Sequence, residues 1–159
     1  MDAEQLREAW GVHCRIITFL LDNVTTEALS SLPAGMKGRS VGEMFAHIHN
    51  MRLMWLEITP KLMDGLAKIP VKSNADKEAI TKTILAASLE ASGEAMAKLL
   101  QDAAAKGKVP SYKRSPLTFY SYMVAHEWYH HGEICMTLTQ AGYRLPDEVL
   151  YGLWEWDKK

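Results

Sequence analysis

The stretch from Ser115 to Gly142, SPLTFYSYMVAHEWYHHGEICMTLTQAG, reads as one long amphipathic helix carrying its own start and stop. Ser115 is an N-cap residue, and Pro116 stands at the first helical position, where a missing N–H costs nothing. Gly142 supplies the stop. Inside lies H-E-x-x-H, from His126 to His130. Residues four apart on a helix sit about 40° apart around the axis and one turn along it. The two imidazoles therefore share a face, and nitrogens so placed can bind one metal ion. Phe119, Tyr122, Met123, Tyr129, Glu133 and Thr137 lie on the same face, which is expected to be mostly bundle interior. His131 lies off that face and is expected at its flank or in solvent. Glu127 reads as an ordinary exposed helix residue, only a weak candidate for a role near a metal.

Outward from this helix, the periodicity stays helical nearly throughout. A first helix is expected from about Asp2 to Asn23, carrying Leu6, Trp10, Ile17, Leu20 and Leu21. SSLPAGMKGRS is a loop by its Gly, Pro and Ser content. Ser40 and Glu43 form a capping box that starts a second helix, running to about Ile58. Pro60 to Lys72 reads as a loop with a short helical piece. Ser73 and Asp76 are expected to cap a long, alanine-rich third helix ending near Gly107. After the fourth helix, RLPDEVLYGLWEWDKK closes the chain as a short tail. Its Leu150, Leu153, Trp154 and Trp156 are too apolar to hang in water and are expected to pack on the bundle or on a partner subunit. Almost nothing reads as strand. Four long helices with short connections predict an all-α fold, an antiparallel four-helix bundle with the tail packed on it, formed as a single domain over residues 1–159.

Composition narrows the function classes. At 159 residues the chain is long enough for one real core, and 48% hydrophobic with 23% charged residues is ordinary for a soluble globular domain. A net charge of −1 and the lack of a Lys/Arg run disfavour nucleic acid as a partner. The longest apolar run, IITFLL, is too short to cross a bilayer, so no membrane partner is expected. MDAEQLREAW carries acids and no apolar stretch, so no secretory signal is expected. Cys14 and Cys135 give no disulfide framework. A cytoplasmic protein is the expectation.

A third imidazole comes from the second helix. Met44, Ile48, Met51, Trp55 and Ile58 form its apolar stripe, and Glu43, Asn50 and Glu57 mark the wet side. His47 falls at the edge of the stripe, whereas His49 lies about 160° away, nearer the polar side. His47 is thus the one that can look inward and meet His126 and His130. A lone His on an apolar face is usually a satisfied core residue. An i, i+4 pair joined by an inward His from another helix favours a metal site, and three neutral nitrogens leave coordination positions open.

A zinc peptidase needs more than H-E-x-x-H. One large branch requires Gly at 133 and His at 136, where the chain has Glu133 and Met136. The other takes a glutamate from a following helix, and no pattern around Glu148 supports that. Such peptidases lay the substrate along a sheet edge, and no strand is evident. The peptidase reading is disfavoured.

Three segments in order, VGEMFAHIHNMRLMWLE, HEWYHHGEI and AGYRLPDEVLYGLWEW, resemble the DinB-like superfamily, which includes the YfiT-like proteins, over nearly the full chain. The family pattern has an inward His with an aromatic residue two turns later, matched by His47 and Trp55. It continues with H-x-x-x-H followed by G and an amide, and with a G…P…W tail, matched by Gly142, Pro146 and Trp154. The resemblance implies a four-helix bundle, often a homodimer, in which His47, His126 and His130 hold a divalent metal. Two positions depart from the pattern: His131 stands where Arg is frequent, and Glu133 replaces the frequent Gln. Glu133 can orient a ligand imidazole or a metal-bound water, can itself be a fourth ligand, or can be a surface carboxylate paired with Lys or Arg.

Relatives of this kind include thiol-dependent transferases and isomerases and proteins described as metal-dependent hydrolases. Both activities rest on a cation whose charge three neutral ligands leave undiluted, so that it acidifies a water or thiol. The expectation is a metal-dependent enzyme acting on a small-molecule substrate, with Zn or Ni as the ion. The alternative is a non-catalytic bundle whose ion stabilises the fold or senses supply. An enzyme needs an open mouth at the metal, to which PAGMKGRS and Pro60–Asn74 are candidate contributors. A pure interaction module built on the aromatic tail is the weaker option, because Trp and Met at helical spacing are more often core.

Overall fold

The computed structural model describes residues 2–35 and 37–159. Among them are six α-helices and no strand: α1 (Ala3–Asp22), α2 (Val41–Leu56), α3 (Asn74–Glu78), α4 (Lys82–Lys106), α5 (Pro116–Gln140) and α6 (Asp147–Gly152). No helix among the described residues is long and apolar enough to cross a membrane.

Each long helix starts where a side-chain oxygen can receive an otherwise orphaned backbone N–H. Asp2 accepts from the Glu4 N–H at 3.0 Å, Thr81 from Ile84 at 3.3 Å, and Ser115 from Thr118 at 3.2 Å. Ser40 and Glu43 close the expected capping box, at 3.2 and 2.9 Å. Such a cap is worth about 1 kcal/mol. At the other ends, Gly107 and Gly142 take the left-handed conformation, with φ of 69° and 84°. The chain then folds back so that Lys108 N–H reaches the Ala103 carbonyl and Tyr143 N–H that of Leu138, at 3.1 and 2.8 Å.

The third helix expected from Ser73 to Gly107 is in fact two. Ser73 and Asp76 do cap a helix, but α3 ends at Glu78. The backbone is extended again at Thr81, and α4 begins afresh behind it. Thr81 offers its hydroxyl as a second N-cap, and this local bond competes with continuation of the helix through Ile80.

Two apolar clusters make the core. One gathers Ile16, Ile17, Leu20, Phe45, Ile48, Leu89 and Ile134 with the tail's Leu145, Val149 and Leu153. The other gathers Leu6, Trp10, Leu53, Leu56, Met96, Leu100, Phe119 and Met123. Between them, along the chain of each long helix, fall buried polar or small residues: His13 on α1, Arg52 on α2, Ser92 on α4, and Glu127 and His131 on α5. α1 packs on α4 and α5, and α2 packs on the same two.

The wet side assigned to α2 is drier than expected. Glu43 is buried under its capping box and a 3.1 Å contact with Lys77. Asn50 is half-buried, exchanging hydrogen bonds of 2.8 and 2.9 Å with the Ile69 backbone. The tail packs as expected through Leu150, Leu153 and Trp156. Trp154 is different: it stays 71% exposed, resting one ring face on Trp128 at 5.1 Å between centroids. Cys14 and Cys135 are both free thiols.

Candidate metal centre

The inner and outer faces of α5 do separate jobs. His126 and His130 lie one turn apart and face His47 on α2. One ligand nitrogen from each ring lies within 4.8 Å of the others. The Nε2 atoms of His126 and His130 are 3.2 Å apart. Two nitrogens bound to one tetrahedral zinc at about 2.0–2.1 Å would be roughly 3.3 Å apart, so this pair already has the spacing of shared ligands. The rings of His47 and His126 each stand near-perpendicular to that of His130, at 83° and 80°, with centroids 4.7 Å apart in both pairs.

Electrostatics leave the ring lone pairs free. Burial, then the positive charge of Arg39 and the two neighbouring imidazoles, pushes the His47 pKa down to about 4. Burial and His130 lower that of His126. Both rings are therefore neutral at pH 7, and a cation need not displace a proton from either. Glu133 accepts a hydrogen bond from His130 Nδ1 at 2.6 Å. That contact places the ring proton on Nδ1 and turns the bare Nε2 toward the other two rings. Of the three roles open to Glu133, its contact here is with the ring of His130, and no Lys or Arg partner occurs among the described residues. His126 Nδ1 is buried and has no hydrogen-bond partner among the described residues.

Access is one-sided. His130 is only 4% exposed, whereas His47 and His126 are half-buried. The face of α5 expected to be interior is in part open, with Tyr122 37% and Tyr129 64% exposed. The trio thus lies at the rim of the core, not at its centre. Of the two segments expected at the mouth, the loop before α2 carries Arg39, whose positive charge adds to the lowering of the His47 and His126 pKa values. The connection after α2 is tied elsewhere. Its Ala67 carbonyl faces His49 Nε2 at 3.0 Å, and Ile69 binds Asn50.

Three expectations about polar residues fail for one reason. Glu127 is fully buried, receiving Arg52 Nε and Nη2 at 2.8 and 2.7 Å and contacting His13 Nε2 at 2.8 Å. Burial alone would raise its pKa, but the Arg52 guanidinium and these hydrogen bonds hold it down, to about 2. Arg52 also donates Nη1 to the Leu89 carbonyl at 2.9 Å and lies 5.1 Å from the Trp10 ring. His131, expected at the flank or in solvent, is 1% exposed between His13 and Trp128. His49, expected near the polar side, is equally buried against the Ser88 and Ala67 carbonyls. In each case the bundle has a second packing face where the sequence reading allowed one. The missed members, Arg52 and His13, lie one helical turn from buried apolar residues, Ile48 and Ile17. Opposite charges on the facing stripes of α2 and α5 were the available signal. With its carboxylate committed to Arg52 and His13, Glu127 is not free to act as a peptidase base.

Two outcomes follow. Glu127→Ala strands a buried guanidinium and is expected to lower the unfolding free energy by about 3–5 kcal/mol in denaturant titrations; a change under about 0.5 kcal/mol would mean the position behaves as surface. Burial, then the charge of His13, pushes the His131 pKa down to about 3, below the value near 6.5 of an unfolded chain. Its contribution to stability is whole above pH 6.5 and is lost as the pH falls toward 3, at up to about 1.4 kcal/mol per pH unit. In chelator-treated protein, His131→Phe should give a shallower decline over that range, and an unchanged slope contradicts the assignment. As for relatives, no curated protein matches the chain. The DinB family profile matches residues 1–157. The chain belongs to the DinB family.

Proposed function

We propose that this protein binds one divalent metal ion through His47, His126 and His130 and acts as a metal-dependent enzyme on a small molecule, by thiol-dependent transfer or by hydrolysis. The observation that carries this reading is the approach of three imidazole nitrogens from two helices to within 4.8 Å. Zn or Ni is the proposed ion, since imidazole suits both. Held there, it supplies Lewis acidity that makes a thiol or water nucleophilic near neutral pH. Glu133 sets the tautomer of His130 and keeps its Nε2 available. Neutral ligands leave the ion's charge uncancelled.

The second reading is a bundle whose ion only stabilises or senses. Partial exposure of His47 and His126 supports the enzyme over it, because a structural ion is normally sealed by four protein ligands. The order of the two core clusters along each helix supports a four-helix bundle in which α1 opposes α2 and α4 opposes α5, while α2 and α4 run the same way across the long connection. A homodimer is part of the proposal, supported by exposed apolar residues on α5 and the tail, among them Met136, Tyr151 and Trp154. A cytoplasmic location completes it.

Elemental analysis of purified protein should give close to one ion per chain, with His47→Ala, His126→Ala and His130→Ala each losing it. Glu133→Gln should retain the ion with affinity lowered about 10- to 100-fold. Equal activity in stripped and reloaded protein would remove the enzyme reading, and full metal retention in any two of the three histidine variants would remove the site.

A further inference from the structure

The outer face of α5 carries a repeat that packing within one chain does not use. Thr118, Tyr122, Ala125, Tyr129, Gly132, Met136 and Thr139 follow one another at steps of four and three. That is the 3.5-residue repeat by which one helix presents a seam to another. All of these residues are exposed, and none is charged. The outward faces of α1 and α4 are ordinary by comparison, with Glu4, Arg7 and Glu8 on one and Glu90, Glu94 and Lys98 on the other. Tyr129, Met136 and Trp154 are 64%, 59% and 71% exposed, and Trp154 rests on Trp128, about one turn before Gly132. An aromatic side chain carries ~150–250 Å², so the seam and Trp154 together expose on the order of the ~800 Å² per partner that a specific interface buries.

Gly132 points the same way. Glycine in mid-helix is weaker than alanine, because it gives up more conformational freedom on folding. Here an added Cβ would meet nothing within 4 Å, so no contact inside this chain calls for its absence. A second helix crossing at that point would, since a missing Cβ lets two backbones approach closely.

The seam is also complementary to itself. Its small members, among them Ala125 and Gly132, alternate with the bulky Tyr122, Tyr129 and Met136. Set antiparallel on a copy of itself, each bulky side chain falls opposite a small one. Set parallel and in register, like meets like, and the bulky layers hold the helices apart. The two antiparallel registers that engage most of the seam place the twofold axis within the turn from Glu127 to His131, level with the metal ligands of α5. The bulky residues flank those ligands: the Tyr122 ring lies 6.4 Å from that of His126 at 29°, and the Tyr129 ring 5.1 Å from that of His130 at 77°.

We propose that a second copy of this chain packs its α5 antiparallel along the seam, and that this second helix closes the open side of each metal site. The inference rests on the metal and homodimer readings above, and adds the face that joins the copies and its effect on the site. Each ion is held by histidines of one chain, while access to it is set by both.

Sedimentation equilibrium of the zinc-loaded protein should show a dimer, weakened about 30-fold or more by Gly132→Leu and by Tyr129→Lys. Leucine is the better helix former, so association lost in Gly132→Leu is not folding lost. Ile84→Lys, which charges an exposed apolar residue of α4, should leave association unchanged. Spin labels on Leu117→Cys, in a chain also carrying Cys14→Ser and Cys135→Ser, should lie roughly 30–40 Å apart, against under about 20 Å for a parallel pair. A chelator should strip zinc about tenfold or more slowly from the dimer than from Gly132→Leu, because it acts through the opened form. A wild-type chain still monomeric at about 0.1 mM leaves the face to a different partner and overturns the inference. So does a dimer indifferent to Gly132→Leu and Tyr129→Lys, or a short label distance. Equal stripping rates overturn the closure of the site. Zinc content of the same samples keeps the two readings apart: protein that takes up no zinc refutes the metal reading, while sedimentation and label distances still decide the seam.

Discussion

The desolvated pair of Arg52 and Glu127 fixes how α2 meets α5. A buried guanidinium and carboxylate tolerate little slippage, because each loses several kcal/mol of solvation that only close, multiply bonded contact offsets. Here the contact is two parallel hydrogen bonds of 2.8 and 2.7 Å, backed by His13 and by the Leu89 carbonyl. Glu127 is the immediate neighbour of His126, and Arg52 lies five residues beyond His47. Locking the one pair sets the register of the other, so the polar layer in the core positions three imidazoles at the rim.

Adjacent residues on α5 therefore belong to different environments. His126 and His130 look toward His47, while Glu127 and His131 look into the layer between the two apolar clusters. All six histidines are neighbours in sequence or space to one of these two constellations or to the α2 connection, yet their chemistry differs. His13 and His131 are caged in the polar layer, where His13 Nδ1 and both ring nitrogens of His131 have no hydrogen-bond partner among the described residues. His47 and His126 keep an open side. Reactivity is expected only where neutral lone pairs, an uncancelled cation charge and access coincide.

Much of this was legible in the chain. The capping box at Ser40 and Glu43, the Ser115–Pro116 start and the Gly142 stop are local chemistry, and each appears where sequence places it. The approach of His47 to His126 and His130 was readable because helical spacing fixes which face a residue occupies. The break at Thr81 was not, since a Thr without a following Glu is a weak cap signal beside the stronger one at Ser73. Nor was the burial of Glu127, His131 and His49. A hydrophobic stripe identifies one packed face, but in a bundle each helix touches two or more neighbours, and the second contact is made by polar residues that satisfy one another. Such pairing depends on the facing helix and cannot be read from one helix alone.

The central claim is that three imidazoles share one divalent ion. X-ray absorption spectroscopy of the zinc-loaded protein tests it most directly. The account predicts three nitrogen neighbours at about 2.0–2.1 Å with the outer-shell scattering of imidazole, a signature lost together with the ion in His47→Ala. A spectrum with fewer than two imidazoles, or one unchanged by loss of His47, would contradict it.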